Sequence, residues 1–182
     1  MILQEKFTLS NGVGIPKLGL GTWMIDNEKT GQAVVEAVKI GYRHIDTAQA
    51  YRNESGVGDG LRACGVKRED MFLTTKLAAE DKSYKKAVSS IDNSLKTMGL
   101  DYIDMMIIHS PQPWTKFGAK ERYFEGNREA WRALEEAYKA GKLRAIGLSN
   151  FEKPDIENIL AFCTVKPMVN QILAHISNTP AE

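Results

Sequence analysis

The chain has 182 residues, and 24 Lys+Arg stand against 23 Asp+Glu for a formal net charge of +1. So small a net charge supplies no global field to recruit nucleic acid or an anionic membrane surface, and no apolar run reaches the length that crosses a bilayer. The hydrophobic share, 43%, suits an ordinary globular protein with a sizeable core. Met1 to Lys6 contain no apolar h-region and do not read as a signal peptide. Cys64 and Cys163 lie far apart, without a C-x-x-C pattern, and read as reduced, helix-borne core thiols. The expectation is a cytoplasmic protein, with residues 1–182 forming a single domain.

In chain order, Lys6 to Leu9 reads as a strand, Ser10-Asn11-Gly12 as a turn and Val13 to Pro16 as the return of a hairpin that caps a larger fold. Leu18 to Trp23 is a short strand running into glycine. A helix over about 28–40 follows, capped by Asp26 or Asn27, with Val34, Val35, Ala37 and Val38 inward and Gly41 as its stop. Strand 43–46 leads to a weak, glycine-containing helix near 54–64. Strand 71–75 ends at Lys76, and a clear amphipathic helix runs through Ala87, Ile91, Leu95 and Met98 to Gly99. Strand 102–108 ends at His109, and a long loop spans Ser110 to Gly126. Helix 127–140 buries Trp131, Leu134 and Tyr138 and displays Glu135 and Lys139 as an exposed pair. Strand 143–148 ends at Ser149-Asn150. Pro154 opens a helix burying Ile156, Ile159 and Leu160, and strand 167–172 holds Asn170-Gln171.

Short apolar strands alternating with helices predict a parallel sheet with crossover helices. No stretch satisfies G-x-G-x-x-G: Gly12-x-Gly14, Gly19-x-Gly21 and Gly56-x-Gly58 run on to Lys17, Met24 and Leu61. The strand ends are more informative. They are followed in turn by Gly21-Thr22-Trp23, Asp46 with Tyr51, Lys76, His109, Ser149-Asn150 and Gln171. In a (β/α)8 barrel these ends meet at one mouth, where ligands sit. Helix capping would explain Ser149 or Asn150 equally well, but Lys76, His109 and Tyr51 are poor N-caps.

This set allows general-acid chemistry. A phenol with an ordinary pKa of about 10 can protonate a developing alkoxide if an ammonium brings that pKa down, and two units correspond to about 2.7 kcal/mol. Asp46 would hold Lys76 charged, Lys76 would tune Tyr51, and His109 would offer a second hydrogen bond to a carbonyl oxygen. The competing reaction is Schiff-base chemistry at Lys76. Against it, such a lysine wants a lowered pKa and Asp46 would raise it. His44 and His175 form no metal-binding pair with His109, so no metal is expected.

These residues carry a family resemblance. Gly19-Leu20-Gly21-Thr22-Trp23, Gly41 to Ala48 with Tyr51 and Asn53-Glu54, Thr75-Lys76-Leu77, Asp101-Tyr102-Ile103-Asp104 leading to His109, Gly147 to Phe151, and Val169 to Ile172 together resemble the aldo-keto reductases, nearest in style to small bacterial members. The resemblance implies a (β/α)8 TIM-type barrel, here of about six βα units behind an N-terminal β-hairpin. It implies NADPH, with NADH as the lesser choice, and a small-molecule carbonyl substrate. It assigns Asp46, Tyr51, Lys76 and His109 as a catalytic tetrad with Tyr51 the acid. Ser149, Asn150 and Gln171 would hold the nicotinamide carboxamide, with Gly21, Thr22 and Asp46 beside the cofactor. Trp23, His109 and Trp114 would line the substrate pocket. Ala78 stands where many members carry an aromatic, and Ser110 where many carry Trp, with Trp114 four residues on. Both changes imply an enlarged or reshaped pocket.

A barrel of this kind takes about 250 residues, and the seventh and eighth βα units lie outside this sequence. The expectation is a fragment of a complete reductase, binding NADPH weakly alone and prone to associate through open sheet edges although the family is usually monomeric. A degenerate barrel kept as a binding module is the non-enzymatic alternative.

Overall fold

The computed structural model describes residues 2–179. The predicted hairpin is β1 (Lys6–Thr8) and β2 (Gly14–Pro16), paired antiparallel. The main sheet then alternates strand and helix: β3 (Leu20–Gly21), α1 (Asn27–Ile40), β4 (His44–Asp46), α2 (Glu54–Ala63), β5 (Phe72–Leu77), α3 (Tyr84–Met98), β6 (Met105–Ile108), α4 (Phe124–Lys139), β7 (Ile146–Ser149), α5 (Lys153–Leu160) and β8 (Asn170–Gln171). Among the described residues the sheet has six strands in the order β3-β4-β5-β6-β7-β8, all parallel. Sequential order with a helix after each of the first five strands is barrel topology, and the strands curl into a partial barrel. Five βα units and a sixth strand are therefore present among the described residues, in keeping with the expected partial barrel of about six units.

The two-residue period of the strands sorts the side chains into two layers. Leu73, Leu77, Met106, Ile108, Ile146 and Leu148 face the helices and form the main core with Val34, Val57, Ile91, Trp131 and Leu134. Phe72, Met105, Ile107 and Ala145 face the inside of the curve and pack beneath Leu9, Val13 and Ile15 of the hairpin region. The Asn11 amide donates to the Arg144 carbonyl at 2.9 Å, fastening the hairpin to the end of the sheet where β7 begins. The hairpin thus caps one end, as its sequence suggested. Continuing the inward register past the apolar layer puts Asp46, Lys76, His109, Ser149 and Gln171 at the other end.

Four local expectations need correction. Lys76 lies within β5, which runs on to Leu77. Glu135 is buried rather than exposed, and its carboxylate accepts the N–H groups of Thr164 and Val165, both at 2.6 Å, while Lys139 turns to the Thr164 hydroxyl. The polar loop after α5 needed an acceptor there, which a helical charge pattern does not reveal. Leu160 is largely exposed, so α5 buries mainly Ile159, with Ile156 half-buried. Cys64 and Cys163 are free and half-buried but sit just past the ends of α2 and α5.

Helix α2 is not weak. Its glycines are the contact surface. A Cβ at Gly60 would stand 2.6 Å from the Val34 Cβ in α1, and one at Gly58 would stand 2.3 Å from the Met98 carbonyl oxygen at the end of α3. Backbone approach this close gives α2 its packing in place of large side chains. Gly58→Ala should gain the better helix propensity of alanine, under ~1 kcal/mol, yet lose more to the collision, for a net destabilisation of about 1–3 kcal/mol. A urea-melt midpoint that is unchanged or raised would contradict this packing account.

Candidate active site

Parallel pairing of β4 with β5 sets Asp46 against Thr74, so Lys76 lies one inward step beyond on the neighbouring strand. The Lys76 side chain is 2% exposed and forms an ion pair with Asp46, and its ammonium also donates to the Thr47 carbonyl at 3.0 Å. The free oxygen of Asp46 accepts from Gln171 Nε2 at 2.9 Å, joining β4 to β8 across the concave side. Beside these residues a cavity of about 390 Å³ is lined by Gly19, Gly21, His44, Asp46 and Gln171 together with hairpin residues.

Tyr51 ends a one-turn 3-10 helix, Gln49–Tyr51, that leaves β4 and is closed by Arg52 at φ +58°. The Lys76 ammonium lies 5.1 Å from the centre of the Tyr51 ring, within cation–π range. The His109 ring stands edge-on to Tyr51, centroids 5.5 Å apart. Trp114 meets His109 edge-on at 5.0 Å, and Phe117 follows Trp114 at 5.5 Å. An aromatic chain thus runs from the phenol into the long loop. The buried Nδ1 of His109 has no hydrogen-bond partner among the described residues.

The other predicted residues divide. Ser149 is buried at the end of β7, and Asn150 takes a left-handed conformation, φ +59°, that turns its amide back onto the His109 carbonyl at 3.0 Å and the Ser149 hydroxyl at 3.1 Å. Thr22 is fully buried, its N–H donating to the Asp46 carbonyl at 2.9 Å. Gly21 lies at the edge strand with open space where a Cβ would be. Trp23 is 71% exposed and takes no part in the aromatic chain. Asp104, though in a recognised motif, serves the far end of the sheet: fully buried, it accepts from the Leu73 N–H, Arg68 and Arg144.

The electrostatics reverse one expectation and weaken another. Burial, then the Asp46 charge, pushes the Tyr51 phenol up to about 12 rather than down. The Lys76 charge is already matched by Asp46, so little is left to favour a phenolate. For Lys76, burial pulls the pKa below the ordinary lysine value more strongly than Asp46 pulls it back. Burial and the Lys76 charge hold His109 down at about 4, so its imidazole is neutral at pH 7.

Three residues near the site escaped the sequence reading. Asn53, fully buried, accepts from the Thr47 hydroxyl at 2.8 Å and donates to the Thr22 and Ile25 carbonyls at 2.8 and 3.0 Å, tying the β3 and β4 loops together. Gln49 makes contacts described below. Lys82 donates to the Ser110 carbonyl at 2.8 Å and to Asn127 Oδ1 at 2.7 Å, and burial lowers its pKa to about 7. Asn53 lay inside a quoted motif and was recoverable as the cap position of α2; the partners of Gln49 and Lys82 are remote in sequence.

A parallel barrel sheet with an acid–lysine pair and a phenol on its C-terminal rim defines a class of α/β-barrel proteins with a polar site at the mouth. The profile of the aldo/keto reductase family matches residues 12–182, and the chain belongs to that family. It is 41% identical to a Bacillus subtilis glyoxal reductase over 181 residues, 99% of this chain and 62% of that protein. It superposes on an aldo/keto reductase from Brucella melitensis with a TM-score of 0.90 at 40% identity, covering 98% of this chain and 64% of that one. A Bombyx mori aldo-keto reductase solved in complex with NADP gives a TM-score of 0.84 at 34% identity, covering 97% and 60%. The chain spans about three-fifths of the length of these relatives. No helix among the described residues is long and apolar enough to cross a membrane.

The His109 assignment has a direct check. A base whose folded pKa lies below its ordinary 6.5 binds fewer protons than the unfolded chain across the window from 6.5 to 4, so its contribution to stability is lost as pH falls through that window. His44, held down by burial, acts in the same direction. In an NMR titration the His109 ring should have its midpoint near pH 4. A midpoint at or above the ordinary imidazole value, about 6.5, would show that the ring is solvated or paired.

Proposed function

We propose that residues 1–182 belong to a single barrel domain of a nicotinamide-dependent carbonyl reductase, one that converts small aldehydes or ketones to alcohols with NADPH as the preferred donor. The observation that carries this reading is the convergence of Asp46, Lys76, Tyr51 and His109 on one rim of the family's fold. The name of the Bacillus subtilis relative points to glyoxal-like dicarbonyls as the substrate class to try first.

The residues fit a nicotinamide cofactor. Gly21 has open space where a Cβ would stand. Asn150 and Gln171 donate through their amide nitrogens to protein acceptors, and their carbonyl oxygens face no protein donor among the described hydrogen bonds. Ser149, Asn150 and Gln171 would hold the carboxamide, with Gly21, Thr22 and Asp46 beside the ring. When bound, the cofactor supplies the hydride that adds to the carbonyl carbon.

The chain's own work is on the oxygen. A phenol with a pKa of about 12 is fully protonated at neutral pH, the state a general acid needs. It still yields its proton to a nascent alkoxide, which is a stronger base than a phenolate. His109, neutral at pH 7, orients the carbonyl oxygen by a hydrogen bond from its ring. The phenolate left on Tyr51 faces the Lys76 ammonium, whose charge then has something to stabilise. Trp114 and Phe117 form one wall for the substrate. Trp23, exposed in this structure, joins that wall only if the bound substrate reaches it.

A second reading draws on the lowered pKa of Lys76: a Schiff-base lyase at that amine. Borohydride added with substrate separates the two, since only the lyase becomes covalently labelled at Lys76. For the reductase, Tyr51→Phe should lower kcat for NADPH-dependent reduction of glyoxal by about 100-fold or more, with a much smaller change in the KM for NADPH. Equal rates in the two proteins would remove Tyr51 from the mechanism.

A further inference from the structure

Tyr51 makes no side-chain hydrogen bond among those described, and its backbone N–H bonds only within its own turn, to the Ala48 carbonyl at 3.0 Å. What holds the turn in place lies two residues earlier. Gln49 Oε1 accepts the N–H of Ala78 at 2.8 Å, just past the end of β5 and two residues after Lys76. Gln49 Nε2 donates to the Ser90 carbonyl at 3.1 Å and the Ser94 hydroxyl oxygen at 2.9 Å, both on α3. The Ser94 hydroxyl donates in turn to Glu54 at 3.1 Å, and the other Glu54 oxygen accepts from the Thr75 hydroxyl at 2.6 Å. Thr75 is the strand neighbour of Lys76. A closed circuit of hydrogen bonds therefore links the turn that carries the phenol, the strand that carries the ammonium, and the helix behind both. Burial raises the pKa of Glu54, the one ionisable member.

We propose that Gln49 is a positioning residue, whose carboxamide clamps the Gln49–Tyr51 turn to the end of β5 and so sets where the Tyr51 phenol stands relative to Lys76. It acts through backbone: its side-chain hydrogen bonds go to Ala78, Ser90 and Ser94, not to the Tyr51 ring or the Lys76 ammonium. A glutamine suits the task because one planar group offers an acceptor to the strand and two donors to the helix. The catalytic half of this inference rests on Tyr51 being the proton donor; the positional half does not.

The test uses Gln49→Met, which keeps the length and volume but makes no hydrogen bonds, and Gln49→Glu. Carbon-13 label at the tyrosine ring reports the Tyr51 titration by NMR, with Tyr51→Phe assigning the signal. In Gln49→Met the loosened turn lets water reach the phenol, and its midpoint should fall from about 12 by about one unit toward the ordinary value of about 10. The kcat for glyoxal reduction should fall about 10- to 100-fold with KM changed less than about 3-fold, as for a misplaced rather than missing group. Gln49→Glu, protonated at low pH, can accept from Ala78 while donating to α3, so its rate should recover toward wild type as pH falls. A purely structural role would lower the melting temperature of both variants and move neither the Tyr51 midpoint nor the pH profile. That outcome overturns the proposal. If Gln49→Met does not fold, the pH-dependent recovery of Gln49→Glu decides. If Tyr51→Phe retains full activity, the reductase reading falls, while a shifted Tyr51 midpoint in Gln49→Met still supports the clamp.

Discussion

The arrangement depends on one buried ion pair. An ammonium as enclosed as that of Lys76 costs several kcal/mol to take out of water, and the cost is bearable only if an opposite charge and further acceptors meet it. Asp46 supplies the charge and the Thr47 carbonyl a second acceptor. Both come from β4 and the loop after it. The pair therefore couples the register of β4 on β5 to the location of the site, and a one-residue slip would turn either partner toward the helices. Asp46 is further engaged by Gln171, so the same carboxylate also holds β8 against the middle of the sheet. The pair is a junction between strands before it is anything chemical.

That junction explains why the phenol keeps its proton. A cation already neutralised by a closer anion has little field left for a third group, and the anion itself disfavours a second negative charge. The ground state is accordingly a neutral phenol, a neutral imidazole and a matched ion pair. Such a site is quiet until charge develops on a bound oxygen. On the proposed mechanism the charge left on the Tyr51 oxygen would face the Lys76 ammonium, and His109 would act as donor without carrying charge of its own. That interaction would be stronger in the proposed transition state than at rest, which is the condition for accelerating a reaction.

The parts legible in the sequence are those set by short-range rules. Helix stops at Gly41 and Gly99 and the short apolar strands between helices follow from capping and composition, and the structure has them. The parts that were not legible depend on partners far along the chain. Glu135 looked like half of an exposed helical pair, but its partners are loop amides 29 and 30 residues on. Gln49 sat between the quoted Ala48 and Tyr51 without a role, because its acceptors and donors are 29 to 45 residues distant. Helix α2 looked weak because its packing surface is backbone bared by glycine, which a hydrophobic pattern counts as nothing. The sign of the Tyr51 shift was misread for a related reason. Proximity of a lysine is visible in the fold family, but the balance between its charge, its partner's charge and burial is a property of the assembled site.

The long loop shows how a changed position can preserve a contact while altering its support. Ser110 stands where the family resemblance leads us to expect an aromatic after the histidine, yet the Trp114 ring returns to meet His109 edge-on. The substitution therefore moves the indole's attachment along the chain without removing it from the site. An indole four residues into a loop needs that loop held, and the bonds are there. The Gln112 amide donates to the Ala119 and Glu121 carbonyls at 2.7 and 2.6 Å and accepts from the Gly118 N–H at 2.9 Å. Arg122 pairs with Glu152 and the fully buried Asp155 at the start of α5, at 2.7 and 2.8 Å. Lys82 anchors the other end at Ser110. The indole beside His109 thus hangs from polar bonds inside the loop and not from the strand. Changes to Gln112 or Arg122, neither of which belongs to the aromatic chain, would move that indole while leaving Tyr51 and the Lys76–Asp46 pair where β4 and β5 hold them.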